Sequence, residues 1–394
     1  MRVEEIKERA QALAPDLVAW RRHLHAHPEL SFQETETSRY IQEHLRRFGI
    51  PFTLPAGTAV VGVIEGRRPG RTVAIRADID ALPIEEENTF PFRSTRPGVM
   101  HACGHDGHTA ILLGVARLLA ESPDFPGRVK LIFQHAEETP PGGAQALVAA
   151  GVLADVDHVI GLHLISSIPT GKAAILTGPQ MASADNFTAR IVGQGGHGAS
   201  PHEAVDSIVA AAAAVMNLQT VVSRRVDPLL PAVVTVGQLH AGTAANVIAP
   251  VAVLEGTIRA LDEETRRLLH AEVRRILEAT AGAYGARAEV EIAGGYPPLV
   301  NHPHEAEVFR AVCREALGPD WNHPIRPFMG GEDFAYYLRE RPGAFLFLGC
   351  RNEAKGACWP HHHPRFTIDE DALPLGVEIL IRAALRLLTA GAEG

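Results

Sequence analysis

The chain has 394 residues, 46% of them hydrophobic and 21% charged, with a formal net charge of −9. That length calls for two domains, the composition excludes a disordered chain, and an acidic balance with dispersed Lys and Arg excludes a surface built to neutralise nucleic-acid phosphates. Residues 1–22 carry charges throughout with no apolar signal-peptide core, and no uninterrupted span of membrane-helix length is found, so a cytoplasmic protein without a membrane partner is expected.

In chain order, the hydrophobic spacing predicts an amphipathic helix over residues 3–23 and another over 34–48. Strand-like runs follow at 59–64 and 72–77, split by an expected turn at Arg68-Pro69-Gly70. Asp78 and Asp80 close the second run and project from one face of an extended chain. Asp80 is a candidate to accept the second ring N–H of a ligand histidine.

Residues 101–108 read His-Ala-Cys-Gly-His-Asp-Gly-His. In an extended loop Cys103 and His105 point to the same side, so one transition metal could take both. A helix over 108–120 leaves this loop, and a short apolar strand over 128–134 leads to Glu137-Glu138. The strand preceding the Cys-His loop and the strand preceding the two glutamates both deliver their residues to the C-terminal edge of a parallel sheet, where open α/β sheets bind ligands. In an extended chain the adjacent glutamates point in opposed directions, so one can bind metal while the other takes a proton from the attacking water. A helix at 144–149 and a strand at 158–164, with His163 near its end, continue the alternation that indicates a mostly parallel sheet covered by helices.

The pattern changes over residues 184–295. A strand at 187–192, a helix at 203–225, strands at 232–239 and 251–259, a helix at 263–284 and a strand at 288–292 spell βαββαβ, the ferredoxin-like unit. Such a complete unit, flanked by glycine- and proline-rich joints, is expected to be inserted into the first domain. The expected division is therefore a catalytic domain at 1–183 and 296–394 with an insert at 184–295. Within the insert, His197 sits on a glycine loop, and Asn246 and Arg259 are candidates to hold a carboxylate. The last segment carries helices at 305–316 and 373–388 around a strand at 344–348. It also carries His361-His362-His363-Pro364, where Pro364 biases His363 to extended geometry and so puts His361 and His363 on one side and His362 on the other. The four cysteines make no disulfide framework, and Cys313, Cys350 and Cys358 are expected to be plain buried or half-buried thiols.

Several motifs in order resemble the aminoacylase/carboxypeptidase family of dinuclear metallohydrolases, in its amidohydrolase branch of hippurate hydrolases and auxin-amino acid conjugate hydrolases. They are His25-Ala-His-Pro-Glu-Leu-Ser31, Arg76-Ala-Asp-Ile-Asp-Ala-Leu-Pro83, Met100-His-Ala-Cys-Gly-His-Asp-Gly-His-Thr109, Gln134-His-Ala-Glu-Glu138, Gly195-Gly-His-Gly-Ala-Ser-Pro-His202 and Gly330-Gly-Glu-Asp-Phe334. The resemblance implies two divalent ions per subunit, zinc or else manganese, cobalt or nickel, held by Cys103, His105, Glu138, His163 and His362, with Cys103 bridging. It implies Glu137 as general base, His197 polarising the scissile carbonyl, if need be from a partner subunit, and Asn246 and Arg259 holding the substrate carboxylate. The insert would be a lid and dimerisation surface. The expected activity is hydrolysis of N-acetyl- or N-benzoyl-type N-acyl amino acids by metal-activated water, in a homodimer or higher homo-oligomer. A dipeptidase or diamino-acid desuccinylase of the same family, and a metal-dependent binding protein without turnover, are the alternatives.

Overall fold

The computed structural model describes residues 2–389; residue 1 and residues 390–394, which the expected catalytic domain includes, lie outside it. Two compact units emerge. One comprises the chain up to Gly178, Val300–Arg326 and the chain from Asp333 onward; the other comprises Pro179–Leu299 and Pro327–Glu332.

The first unit is built on a seven-stranded sheet. Its four central strands, Pro126–Gln134, Arg68–Asp78, His158–Pro169 and Gly343–Arg351, run parallel, and antiparallel strands flank them on both sides. The α/β class with a mostly parallel sheet is the expected one. Buried on both faces, the central strands are nearly continuous apolar runs, as parallel strands must be.

The helix His105–Glu121 is buried along most of its length. Gly114 is needed at its crossing, since a Cβ there would stand 2.7 Å from Leu17 and from Val377. The helices Ala14–Ala26 and Ala372–Thr389 therefore press directly on its backbone. This contact fixes the height at which the helix start, and His105 with it, meets the sheet edge.

The second unit is a four-stranded antiparallel sheet in the order Ala232–Ala241, Val251–Ala260, Ala184–Val192, Arg287–Tyr296, the ferredoxin-like arrangement. Strand Ala184–Val192 alternates buried and exposed residues, and its buried Phe187, Ala189 and Ile191 pack with Ala214, Leu218, Leu269 and Leu277 of the two helices. Asp206 caps the helix Ser207–Arg225 by accepting from the Ile208 and Val209 amides, and Asp262 caps Glu263–Ala283 by accepting from Thr265.

Three expectations need correction. The helix over 3–23 is two helices, Val3–Ala12 and Ala14–Ala26, because Pro15 in the first turn of the second cannot supply the amide that continuation would require. Arg68-Pro69-Gly70 is not a turn but the start of strand Arg68–Asp78, where a register shift between Arg68 and Thr72 accommodates the proline. One helix, Ser207–Arg225, is after all long and apolar enough by length and composition to cross a membrane. Its alanines give it that composition, and its Ala210, Ala211, Ala214, Leu218 and Val221 face packs in the core of its own unit.

Candidate metal centre

Two triads of ligand-type residues meet at the C-terminal edge of the large sheet. The Sγ of Cys103 and ring nitrogens of His105 and His163 lie within 4.8 Å of one another, and so do Cys103 Sγ, a Glu138 carboxylate oxygen and a His362 ring nitrogen. Cys103 belongs to both.

The histidine tautomers follow from their partners. His105 Nδ1 donates to the backbone and side-chain oxygens of Asp80 at 3.0 and 3.2 Å, and its Nε2 is buried and without a hydrogen-bond partner. His163 Nδ1 donates to the Leu164 carbonyl at 2.9 Å, and its Nε2 lies 3.4 Å from Cys103 Sγ. His362 Nε2 lies 3.4 Å from Glu138 Oε1, another buried atom without a hydrogen-bond partner. Outer partners of this kind fix a ligand ring and raise its basicity.

Burial alone would lower the pKa of His105, but Asp78, Asp80 and Glu138 outweigh it and push it up to about 10. Burial first, then the charges of Glu138, Glu137 and Asp78, push the Cys103 thiol well above its ordinary value. Both shifts express the same surplus of negative charge. Orphaned donor atoms in that field, of sulfur, imidazole and carboxylate type, fit a pair of divalent ions.

The backbone that delivers these groups is not the extended chain expected from spacing. Gly104, at φ 97°, turns left-handed between Cys103 and the helix that begins at His105. Ala136 is left-handed at φ 52°, with its amide donating to Glu34 at 2.8 Å. The kink brings both Glu137 and Glu138 within 4.8 Å of the His105 ring nitrogen instead of sending them to opposed sides. His362 is left-handed too, at φ 64°, so His361 and His363 do not share a side. His361 Nε2 donates to the Leu164 carbonyl at 2.9 Å and its Nδ1 accepts from Ser166 at 3.1 Å, whereas His363 stacks on Trp359.

Asp80 does more than orient His105. Its other oxygen accepts from the Glu138 amide at 3.0 Å and from Ser31 at 2.7 Å. His108, within the same motif, points both nitrogens elsewhere: Nδ1 donates to Asp78 at 2.6 Å and Nε2 accepts from the Leu164 amide at 2.8 Å. Beneath them, buried Arg76 joins Asp78, Gln134 and Asp333. Sequence reasoning assigned no role to Ser31, Glu34 or Asp333; an arginine in an apolar strand was the one available sign, since it needs buried partners.

The remaining candidates belong to the second unit. His197 pairs with Val247 in a two-stranded ribbon, and the Gly198 amide donates to the Asn246 carbonyl at 2.8 Å, which brings His197 and Asn246 together. His197 Nδ1 accepts from the Ala199 amide at 3.0 Å, so the exposed Nε2 carries the proton and is a donor. Arg259 lies on strand Val251–Ala260, half-buried, and makes no ion pair among the described residues. Burial draws its pKa down.

Residues 74–386 match the model of peptidase family M20/M25/M40. The chain is 49% identical over 337 residues to an N-acyl-L-amino acid amidohydrolase of Geobacillus stearothermophilus, covering 84% of this chain and 91% of that one. It is 42% identical over 379 residues to thermostable carboxypeptidase 1 of Saccharolobus solfataricus, covering 95% and 96%. The crystal structure of the Bacillus subtilis YXEP protein, described as a dinuclear metal-binding peptidase of the M20 family, superposes with a TM-score of 0.84 at 36% identity over 96% and 99% of the two chains.

Proposed function

Since the chain belongs to peptidase family M20/M25/M40, we propose that it is a metal-dependent amidohydrolase that cleaves N-acyl amino acids to a carboxylic acid and a free amino acid. The observation that carries this reading is Cys103 shared between two triads, with the Glu137 carboxylate beside the His105 ring nitrogen. Cys103, His105 and His163 would hold one divalent ion, and Cys103, Glu138 and His362 the other. Zinc suits the sulfur and imidazole donors, while the carboxylate also admits manganese, cobalt or nickel. When bound, such ions supply Lewis acidity to the amide carbonyl and lower the pKa of the attacking water.

The chain's own residues do the rest. Glu137 takes the proton of the attacking water and delivers it to the leaving nitrogen. Asp80 holds His105 and the Glu138 backbone while this happens. His197, protonated at Nε2, is assigned to the carbonyl oxygen, and Asn246 and Arg259 to the substrate carboxylate, for which a planar guanidinium fork is well shaped.

A homodimer formed through the second unit is part of the same reading. Strand Ala232–Ala241 is a sheet edge, and Leu239 on it and Ile208, Val209 and Met216 on the neighbouring helix are exposed apolar residues. Sedimentation of the purified protein at the monomer mass would remove this part alone.

The activity is tested by stripping the protein with chelator, reloading it separately with Zn²⁺, Mn²⁺ and Co²⁺, and following free amino acid from N-acetyl, N-benzoyl and dipeptide substrates. Restored cleavage that favours N-acyl amino acids supports the assignment. Preference for dipeptides would move it to a peptidase, and two bound ions with no cleavage of anything would make it a binding protein.

A further inference from the structure

Two loops carry the ligand-type residues that must face each other, the turn around Cys103 and His105 and the turn around His362. Between them runs a segment outside every helix and strand, Glu86-Glu87-Asn88. It touches both.

On one side, Glu86 Oε1 lies 3.0 Å from His25 Nε2, and His25 Nδ1 lies 2.8 Å from Asp106 Oδ2. Asp106 follows His105 in the first turn of its helix and also accepts from buried Arg21 at 2.8 Å. The side chains of His25 and Asp106 are fully buried, and that of Glu86 is 3% exposed. Glu86 Oε2 accepts from the Ser94 amide, which fixes the carboxylate against its own loop.

On the other side, the Glu87 amide donates to the Pro364 carbonyl at 2.9 Å, and Arg365 Nε donates to Glu87 at 3.0 Å. Asn88 closes the connection. Its Nδ2 donates both to Glu86 Oε1 at 2.9 Å and to the Phe366 carbonyl at 3.1 Å. One amide group thus joins the branch that ends beside His105 to the branch that ends four residues from His362.

Resting on the dinuclear reading above, the geometry points to Glu86 and Asn88 as positioning residues that, with His25, hold the His105 turn and the His362 turn at the separation two ions require. His362 needs such support. Its backbone is left-handed, which a residue with a Cβ adopts only when its surroundings impose it, and its side chain is about half exposed. The His362 amide donates to the Ala102 carbonyl at 2.8 Å, so the two turns already touch, and the segment supplies the second point that prevents rotation about that bond. The weight falls on the ion shared by Cys103, Glu138 and His362.

The test is stepwise Zn²⁺ affinity, read by competition with a chromophoric chelator, for the wild-type protein and for Glu86→Ala, Asn88→Ala and Glu86→Gln. The wild type should take up two ions in two steps. Both alanine variants should bind one ion as the wild type does and the other about 10-fold more weakly, the low end of what outer partners of metal ligands contribute. Glu86→Gln, whose single oxygen can serve either the His25 and Asn88 side or the Ser94 amide but not both, should recover part of that loss. Combining Glu86→Ala with Asn88→Ala should cost little more than the larger single change, since both cut one connection. A purely structural role would lower the melting temperature while leaving the ratio of the two steps unchanged, and that result overturns the inference. If Glu86→Ala does not fold, Asn88→Ala decides alone, because it leaves the Glu86–His25 pair in place. Wild-type protein that binds no zinc defeats the metal reading and this inference together; two wild-type steps matched by both alanine variants defeat only this inference.

Discussion

Asp80 holds the Nδ1–H of His105 through two oxygens at once, its backbone carbonyl at 3.0 Å and its carboxylate at 3.2 Å. The other carboxylate oxygen accepts from the Glu138 amide. One side chain thus sets a ring from the helix His105–Glu121 and a carboxylate that follows strand Pro126–Gln134.

Asp80→Asn is expected to lower metal affinity by about 10- to 100-fold, the usual range for an outer partner of a ligand. The amide can offer His105 an oxygen, but its NH₂ group then meets the Glu138 amide or the His105 ring, so one of the two bonds must break. Zinc titration of the purified variant checks this; unchanged affinity would show that the backbone carbonyl of Asp80 alone orients the ring.

Glu137→Gln is expected to keep both ions and lose turnover by at least about 10²–10⁴-fold, the contribution of general acid–base catalysis. The residue is buried beside His105, and Gln preserves its size. The check is kcat on an N-acyl amino acid together with metal analysis of the same sample. Near-normal turnover at full occupancy sinks the assignment.

Three consecutive histidines give three separable outcomes. His362→Ala should reduce bound zinc from two ions per chain to one. His361→Ala should leave two, because both nitrogens of His361 are already engaged by Leu164 and Ser166, and should instead cost about 1–2 kcal/mol of stability through lost hydrogen bonds. His363→Ala should do neither beyond the modest loss of its stack on Trp359. Metal analysis and thermal melts distinguish the three, and loss of an ion in His361→Ala would reassign the ligand.

How far the sequence could foresee this depends on the range over which each feature is decided. Cys103-Gly-His105 and Glu137-Glu138 stand out because rare donor types fall within a few residues, next to runs whose period reveals a strand or helix. The order of the strands was not legible, since pairing Arg68–Asp78 with both Pro126–Gln134 and His158–Pro169 is decided by contacts between distant segments. Nor were the left-handed turns at Ala136 and His362. Positive φ is uncommon for any residue with a Cβ, and each is held there by a hydrogen bond from its amide to a distant partner, Glu34 in one case and Ala102 in the other. For the same reason Glu86 and Asn88, in a stretch with no periodicity, gave no sign of what they join.

Asp185 offers a prediction confined to the second unit. Its carboxylate is gripped by Arg266 through two bonds, at 2.8 and 2.6 Å, and by His270 and the Gly295 amide. Burial would raise its pKa, but the bonds from Arg266, His270 and Gly295 outweigh that and hold it well below the usual carboxylate range. A group whose folded pKa is depressed contributes stability above its unfolded value and loses it as pH falls towards the folded one. Asp185→Asn should therefore destabilise the protein at pH 7 by about 2 kcal/mol, since it takes the two-bond counter-charge from the buried Arg266 guanidinium and leaves it only the more exposed Glu263 at 3.3 Å. The deficit relative to wild type should shrink as the pH drops below about 4, the ordinary value for an aspartate. Paired thermal melts from pH 7 to pH 3 read both effects. A deficit that stays constant across that range would show that the carboxylate's charge contributes nothing and that only the shape of the hydrogen-bonded site matters.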